Sequence, residues 1–254
     1  MKVEGKVVVV TGGASGIGRA MARRFARECA KRVVVADLEA AGARAVAEEI
    51  GGVGAGLDVS REAEVVELIE RAEKDIGPID LFCSNAGIGL GQGLDSSDAV
   101  WQKIWEVNLM SHVYAARNLV PRMVARGGGY LLNTASAAGL LSQIGSATYS
   151  VTKHAAVALA EWIAITHGHQ GIKVSVLCPQ AVRTAMTAGN EGGVASVDGM
   201  IEAEDVAESV IQALDEERFL VLPHPQVAEY MRRKTADYDR WIAGMQRLAA
   251  KFRR

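Results

Sequence analysis

The feature that most constrains this chain is a buried-strand pattern running directly into a glycine-rich turn. Lys6 to Thr11 holds four consecutive valines, and Thr11-Gly12-Gly13-Ala14-Ser15-Gly16-Ile17-Gly18 follows at once. A helical pattern then opens at Arg19 and runs through Phe25. An unbroken β-branched run reads as a strand buried on both faces, which is the habit of parallel sheets. A glycine turn between such a strand and a helix N-terminus suits a pyrophosphate, because free amides and the helix dipole both favour negative charge. The spacing is Gly-x-x-x-Gly-x-Gly. Taken alone, it is equally a tight strand-to-helix connection.

The rest of the chain repeats the alternation. Strands are predicted at Lys31 to Ala36, Ala55 to Asp58, Ile79 to Ser84, Tyr130 to Thr134, Lys173 to Leu177 and Arg218 to Leu222. Helices are predicted over Glu39 to Ile50, Arg61 to Ile76 with Ser60 as N-cap, Asp98 to Arg126, Thr148 to His167, and Glu202 to Asp215. Strands alternating with helices imply an α/β fold of the Rossmann type, a doubly wound parallel sheet with helices on both faces. The 254 residues, 49% of them apolar, suffice for one domain spanning 1–254.

Two further groups give the glycine turn a context. Asp37 closes the second strand, nineteen residues after Gly18. A carboxylate there can accept hydrogen bonds from the ribose hydroxyls of a dinucleotide and would repel a 2′-phosphate, favouring NAD over NADP. Its plain alternative is a helix N-cap, and Arg19 and Arg32 stand near enough to weigh against the preference. Tyr149 and Lys153 lie four apart, one helical turn above each other. An ammonium beside a phenol favours the phenolate, so the tyrosine could serve as an acid/base, with Ser136 holding the oxygen on which it acts. The bland reading is an ordinary solvated helix face. All these groups fall at or just beyond the C-terminal ends of predicted strands, where open parallel sheets bind ligands.

Together these motifs resemble the short-chain dehydrogenase/reductase family, over roughly residues 3 to 222. The resemblance rests on Thr11 to Gly18, Asp37, Asp58-Val59, Asn85-Ala86-Gly87, Asn108, Ser136, Tyr149-Ser-Val-Thr-Lys153, and Pro179 with Val182 and Thr184. It implies an oxidoreductase that interconverts a secondary alcohol and a ketone. Gly12, Ser15, Gly16, Ile17 and Gly18 would hold the pyrophosphate, and Asp37 the adenosine ribose. Asp58 and Val59 would flank the adenine, and Asn85, Ala86 and Gly87 would support the nicotinamide ribose. Pro179, Val182 and Thr184 would lie against the nicotinamide. Tyr149 would be the general acid/base, Ser136 would polarise the substrate oxygen, and Lys153 would lower the tyrosine pKa and bind the ribose. Asn108 would kink its helix and anchor a water for proton relay. The family's usual glycine after Pro179 is here Gln180, turned either to solvent or to substrate.

The remaining expectations concern the surroundings. Ala185 to Met200 reads as a lid over the substrate, and Gln226 to Arg254 as one amphipathic helix packed on the body, a neighbouring subunit or a membrane surface. By resemblance, the helices around 98–126 and 148–167 pair copies into a dimer or tetramer. A net charge of −2 argues against nucleic acid or an anionic membrane as main partner. Cys29, Cys83 and Cys178 have no metal-ligand spacing and suit a reducing compartment. With no signal peptide or membrane-length apolar run, a cytoplasmic protein is expected. Alternatives are a 3-oxoacyl-thioester reductase using NADPH and a nucleotide-binding regulator without turnover.

Overall fold

The structure, a computed structural model, describes residues 1–189 and 192–252. Its frame is one parallel sheet: β1 (Val7–Thr11), β2 (Arg32–Asp37), β3 (Val53–Gly56), β4 (Leu81–Ser84), β5 (Gly129–Thr134), β6 (Ile172–Leu177) and β7 (Leu220–Val221). The strand order is β3-β2-β1-β4-β5-β6-β7. The chain therefore winds outward from β1 in one direction, then returns to start β4 on the other side. That reversal opens a crevice at the C-terminal ends of β1 and β4, which is where such sheets take ligands.

Helices cover both faces. One face carries α1 (Gly16–Arg27), α2 (Ala40–Glu49) and α8 (Ala203–Asp215). The other carries α3 (Glu62–Asp75), α5 (Ser111–Ala125) and α7 (Ala147–His167). The valines of β1 show why both layers form. Side chains alternate along a strand, so Val7 and Val9 enter one apolar layer while Val8 and Val10 enter the other. Each is nearly inaccessible to solvent. Burial of a valine stabilises by about 1.5 kcal/mol or more, which makes this strand the anchor of the sheet.

Several boundaries differ from the sequence reading, each for a local reason. The third strand is Val53–Gly56, not 55–58, and Asp58 lies beyond it. Its glycines serve close packing rather than a turn: a Cβ on Gly54 would meet the Arg44 Cα at 2.6 Å. Ser60 does not cap α3; its hydroxyl donates to Asp58 Oδ1 at 2.6 Å, and Arg61 takes the cap position. The long helix expected over 98–126 is α4 (Asp98–Trp105), a π-helical turn at Glu106–Met110, and α5. The π turn contains Asn108.

The C-terminal segment is two helices, α9 (Gln226–Ala236) and α10 (Tyr238–Phe252), rather than one. Asp237 breaks the run with extended backbone, and its Oδ1 accepts the Arg240 amide at 2.9 Å. An aspartate capping the second helix competes with continuing the first. The last two residues of the expected helix, and 190–191 within the expected lid, lie outside the described residues. The described part of 185–200 is turns with one 3₁₀ turn at Val194–Ser196, and a bridge from Val182 to Ile201 closes its base.

Candidate active site

The glycine turn is built for close approach. Gly12 has φ +66°, and a Cβ there would sit 2.9 Å from the Ala86 Cα. A Cβ on Gly18 would lie 2.0 Å from the Gly12 carbonyl oxygen and 2.7 Å from Asn85 Nδ2. Gly16, with φ +50°, opens α1 close to the Thr184 methyl. Ser15 stands at the cap position without a side-chain bond to the helix, and the first turn of α1 holds no acidic residue. These features leave a helix N-terminus suited to an anionic group.

Behind the turn, Thr11 and Asn85 tie the strand ends together. The Asn85 and Ala86 amides donate to Thr11 Oγ1 at 2.9 and 3.1 Å. Asn85 Nδ2 donates to the Thr11 carbonyl, and Thr134 Oγ1 donates to Asn85 Oδ1 at 3.1 Å. The Asn85 side chain thus spans β1, β4 and β5, holding the crevice rather than reaching into it. Asp37 accepts the Ala14 and Glu39 amides, one on each oxygen at 3.0 Å, and keeps lone pairs for further donors. Burial alone would raise the Asp58 carboxyl, but the Ser60 hydroxyl and amide hold it below its ordinary value.

All of these residues except Thr11, Ala14 and Ser60 line one cavity of about 1570 Å³, together with Val59, Ser136, Tyr149, Lys153 and Pro179. Pockets for a single small ligand usually measure roughly 300–1,000 Å³. This one has room for a dinucleotide and a second molecule.

At its centre, Ser146 caps α7 by accepting the Tyr149 amide, so the helix begins where Tyr149 and Lys153 are needed. Lys153, 3% exposed, donates from Nζ to the Thr134 carbonyl at 2.9 Å and lies 5.7 Å from the Tyr149 ring centroid. Ser136 Oγ accepts the Ala138 amide at 3.1 Å and donates to the Pro179 carbonyl at 3.3 Å. Asn108 is wholly buried; its Oδ1 accepts the Ile88 amide at 2.8 Å and its Nδ2 donates to the Ile88 carbonyl at 2.9 Å. A Cβ on Gly87 would approach both Asn108 Oδ1 and Lys153 Nζ within 3.4 Å, so a side chain there would crowd both groups.

The electrostatics differ from the expectation that Lys153 lowers the tyrosine pKa. Burial raises the Tyr149 phenol above its ordinary value, with the Ser136 hydroxyl pulling the other way. Tyr149 is half-buried, and it lines the cavity. Burial also lowers Lys153 from 10.5 to about 8. The folded state therefore resists protonating this amine, while the unfolded chain does not. Between about 8 and 10.5 the unfolded chain binds more protons, so stability rises with pH there, and the cost is complete below that window.

Lys153→Met should remove that cost, on the order of 3 kcal/mol at pH 7 by the size of the shift, offset by about 1 kcal/mol for the orphaned Thr134 carbonyl. Denaturant titrations at pH 7 and pH 10 should show the variant's advantage shrinking as pH rises. An advantage that is independent of pH would refute the assignment.

Gln180 is turned neither to bulk solvent nor freely to substrate. Its Nε2 donates to Asp198 Oδ2 at 3.2 Å, and the Tyr230 hydroxyl donates to Asp198 Oδ1 at 2.9 Å. Its amide donates to His224 Nδ1 at 3.1 Å, which leaves the Nε2 hydrogen of His224 for the Ala181 carbonyl at 3.2 Å. Burial keeps that imidazole below its ordinary pKa and neutral. Asp198, His224 and Tyr230 were not legible as site residues, because their partners lie 18 to 44 positions away in sequence. Tyr230, Trp241 and Met245 place α9 and α10 over the cavity.

A doubly wound parallel sheet with an anion-ready helix N-terminus, an acidic group after β2 and a Tyr–Lys pair at the switch point defines a nucleotide-binding oxidoreductase architecture. A sequence model described as short chain dehydrogenase matches residues 6–193, and the chain belongs to that family. It is 36% identical over 257 residues to a 1-deoxy-11-beta-hydroxypentalenate dehydrogenase of Streptomyces exfoliatus, covering 96% of this chain and 92% of that one. It is 34% identical over 193 residues to 3beta-hydroxysteroid dehydrogenase 2 of Eggerthella lenta, covering 73% and 74%. Among solved structures, a short-chain dehydrogenase/reductase from Burkholderia phymatum in complex with NAD superposes with a TM-score of 0.85 at 30% identity, over 94% of this chain and 96% of that one. The chain is thus an oxidoreductase of hydroxyl groups. No described helix is long and apolar enough to cross a membrane.

Proposed function

We propose that this chain is an NAD-dependent dehydrogenase that interconverts a secondary alcohol on an apolar skeleton and its ketone. The observation carrying this reading is that Ser136, Tyr149 and Lys153 wall the same cavity as Gly12 to Gly18 and Asp37. The cradle fits a dinucleotide, since the glycines leave backbone exposed where any Cβ would intrude. Bound there, the cofactor would accept or supply the hydride and bring a cationic ring beside the phenol when oxidised.

The chain's own part is proton transfer and positioning. Tyr149 takes the alcohol proton in oxidation and returns it to the developing oxyanion in reduction. Ser136 is held by the Ala138 amide with its hydroxyl at the cavity wall, and its one hydrogen, turned from the Pro179 carbonyl to the substrate, makes it a second donor to that oxygen. Lys153 holds the ribose side and contributes charge near the ring. Its own low pKa makes it a ready partner for moving the proton onward past Asn108. The protein alone raises the phenol, so the reading requires positive charge from Lys153 and the cofactor ring together to bring it into range.

NAD rather than NADP is supported by the acidic end of the cavity. Asp37, Leu38 and Glu39 line it, whereas Arg19 and Arg32 do not, and Arg32 donates instead to the Gly51 carbonyl. Asp37→Ala should cut the ratio of kcat/KM for NAD over NADP by roughly tenfold, the scale of one partly screened charge repulsion. Initial rates with both cofactors check this, and an unchanged ratio would assign selection to another group. The hydroxypentalenate and hydroxysteroid dehydrogenases among the relatives favour an alicyclic alcohol as substrate. We read the face of α7 that leaves Trp162 58% and Ile165 81% exposed as the place where copies of the chain pair, which sedimentation in solution tests.

A further inference from the structure

The substrate end of the cavity carries two arginines for which an uncharged alcohol has no use. Its outer wall is α10, where Trp241, Met245 and Leu248 recur at four- and three-residue steps and present one apolar strip to the cavity. Along the edge of that strip run Arg240, Gly244 and Arg247, also lining the cavity and also four and three apart. A Cβ on Gly244 would meet only Arg247 Nη2, at 3.8 Å. The Arg247 guanidinium therefore lies beside the glycine, and the missing side chain at Gly244 leaves a notch on the helix edge that carries Arg240 and Arg247.

These two arginines differ from their neighbours. Arg233 is paired with Glu229 at 2.9 Å, but Arg240 and Arg247 have no ion pair among the described residues. The acids that share this end are held by neutral donors and form no ion pair with either arginine among the described residues. Asp198 receives Gln180 and Tyr230, and Asp237 caps α10 through the Arg240 amide. The other carboxylates of the cavity, Asp37, Glu39 and Asp58, belong to the end read as the adenosine site. Two like charges held over a small notch repel each other unless an anion joins them, and guanidinium forks match a carboxylate in shape.

We infer that the substrate is a hydroxylated apolar acid, its carbinol at Tyr149 and its carboxylate at the Arg240–Gly244–Arg247 notch. The apolar strip of Trp241, Met245 and Leu248 covers the skeleton between them. This rests on the dehydrogenase reading above and adds the charge of the substrate to it. It also gives α10 a role, since no residue of this helix is fully buried. Contact with a substrate anion would fasten it over the site.

The test is binding of acid and methyl ester pairs to the complex of the full chain with NADH, where an alcohol cannot react. Two pairs span the size range: 3-hydroxycyclohexanecarboxylate and 3-hydroxycholanate, each with its ester, followed by NADH fluorescence. In at least one pair the acid should bind about tenfold more tightly or better, the scale of two charge-assisted contacts at a partly exposed site. The preference should fall toward unity in the Arg240→Gln/Arg247→Gln variant and weaken with added salt, while NADH affinity stays unchanged. Equal binding of acid and ester in both pairs would overturn the inference, as would a preference that survives the double substitution. A loss of NADH affinity in that variant would assign the arginines to the dinucleotide phosphates instead, which also overturns it. A preference for the acids without their NAD-linked oxidation would refute the dehydrogenase reading and leave the anion site standing.

Discussion

Tyr149→Phe should lower turnover at least about a hundredfold while leaving dinucleotide affinity nearly unchanged. General acid/base transfer contributes about 10² to 10⁴ in rate, and phenylalanine keeps the ring while removing the only proton it can exchange. The surroundings should hold: the Ser146 cap acts on the backbone amide, and Lys153 is fixed by the Thr134 carbonyl rather than by the phenol. Ser136 remains as a donor but is held by Ala138 and Pro179, so it cannot move far to replace the lost group. Stopped-flow turnover beside NADH titration separates the two effects. Near-normal turnover would remove the tyrosine from the chemistry, and an equal loss of cofactor binding would make its role structural. Alcohol oxidation in the parent should also speed up as pH rises, because the base is a phenol that burial makes harder to ionise.

Gly18→Ala should abolish measurable dinucleotide binding and destabilise the fold by about 1–3 kcal/mol or more. The added methyl would lie 2.0 Å from the Gly12 carbonyl oxygen and 2.7 Å from Asn85 Nδ2. Neither neighbour can swing aside cheaply. Gly12 is itself pinned by the approach of Ala86, and Asn85 is bonded to Thr11 and Thr134. The turn must open, which moves the N-terminus of α1 and separates the ends of β1 and β4. Thermal unfolding should fall by several degrees, and NADH fluorescence should show no saturable binding. A variant with parental affinity would mean that this turn does not cradle the cofactor. Gly5→Ala makes a fair control, because nothing lies within 4 Å of its Cβ position and only its φ of +72° is unfavourable.

Much of the frame was legible because its signals are local. The valines of β1 and β2, the glycine turn and the four-residue step from Tyr149 to Lys153 are short-range patterns, and the strands and helices stand close to where they are expected. What misled was residues with two uses. Gly54 falls outside the expected strand at 55–58 but serves a strand packed tightly under α2. Ser60 reads as a cap but bonds Asp58. Asp237 sits inside a continuous apolar period, yet its capping bond splits the segment into α9 and α10.

The sequence by itself determined that a strand, a glycine turn and a helix would meet at an anion-ready edge, and that a phenol would share a helix face with an amine. Both follow from periodicity and backbone sterics, which act over a few residues. Only the tertiary structure decided the rest. It drew Asp198, His224 and Tyr230 around Gln180, laid α10 across the mouth with two arginines that form no ion pair among the described residues, and buried the phenol so that its pKa goes up rather than down. Those outcomes depend on which distant groups share a volume and how much water they exclude, and no local pattern encodes either.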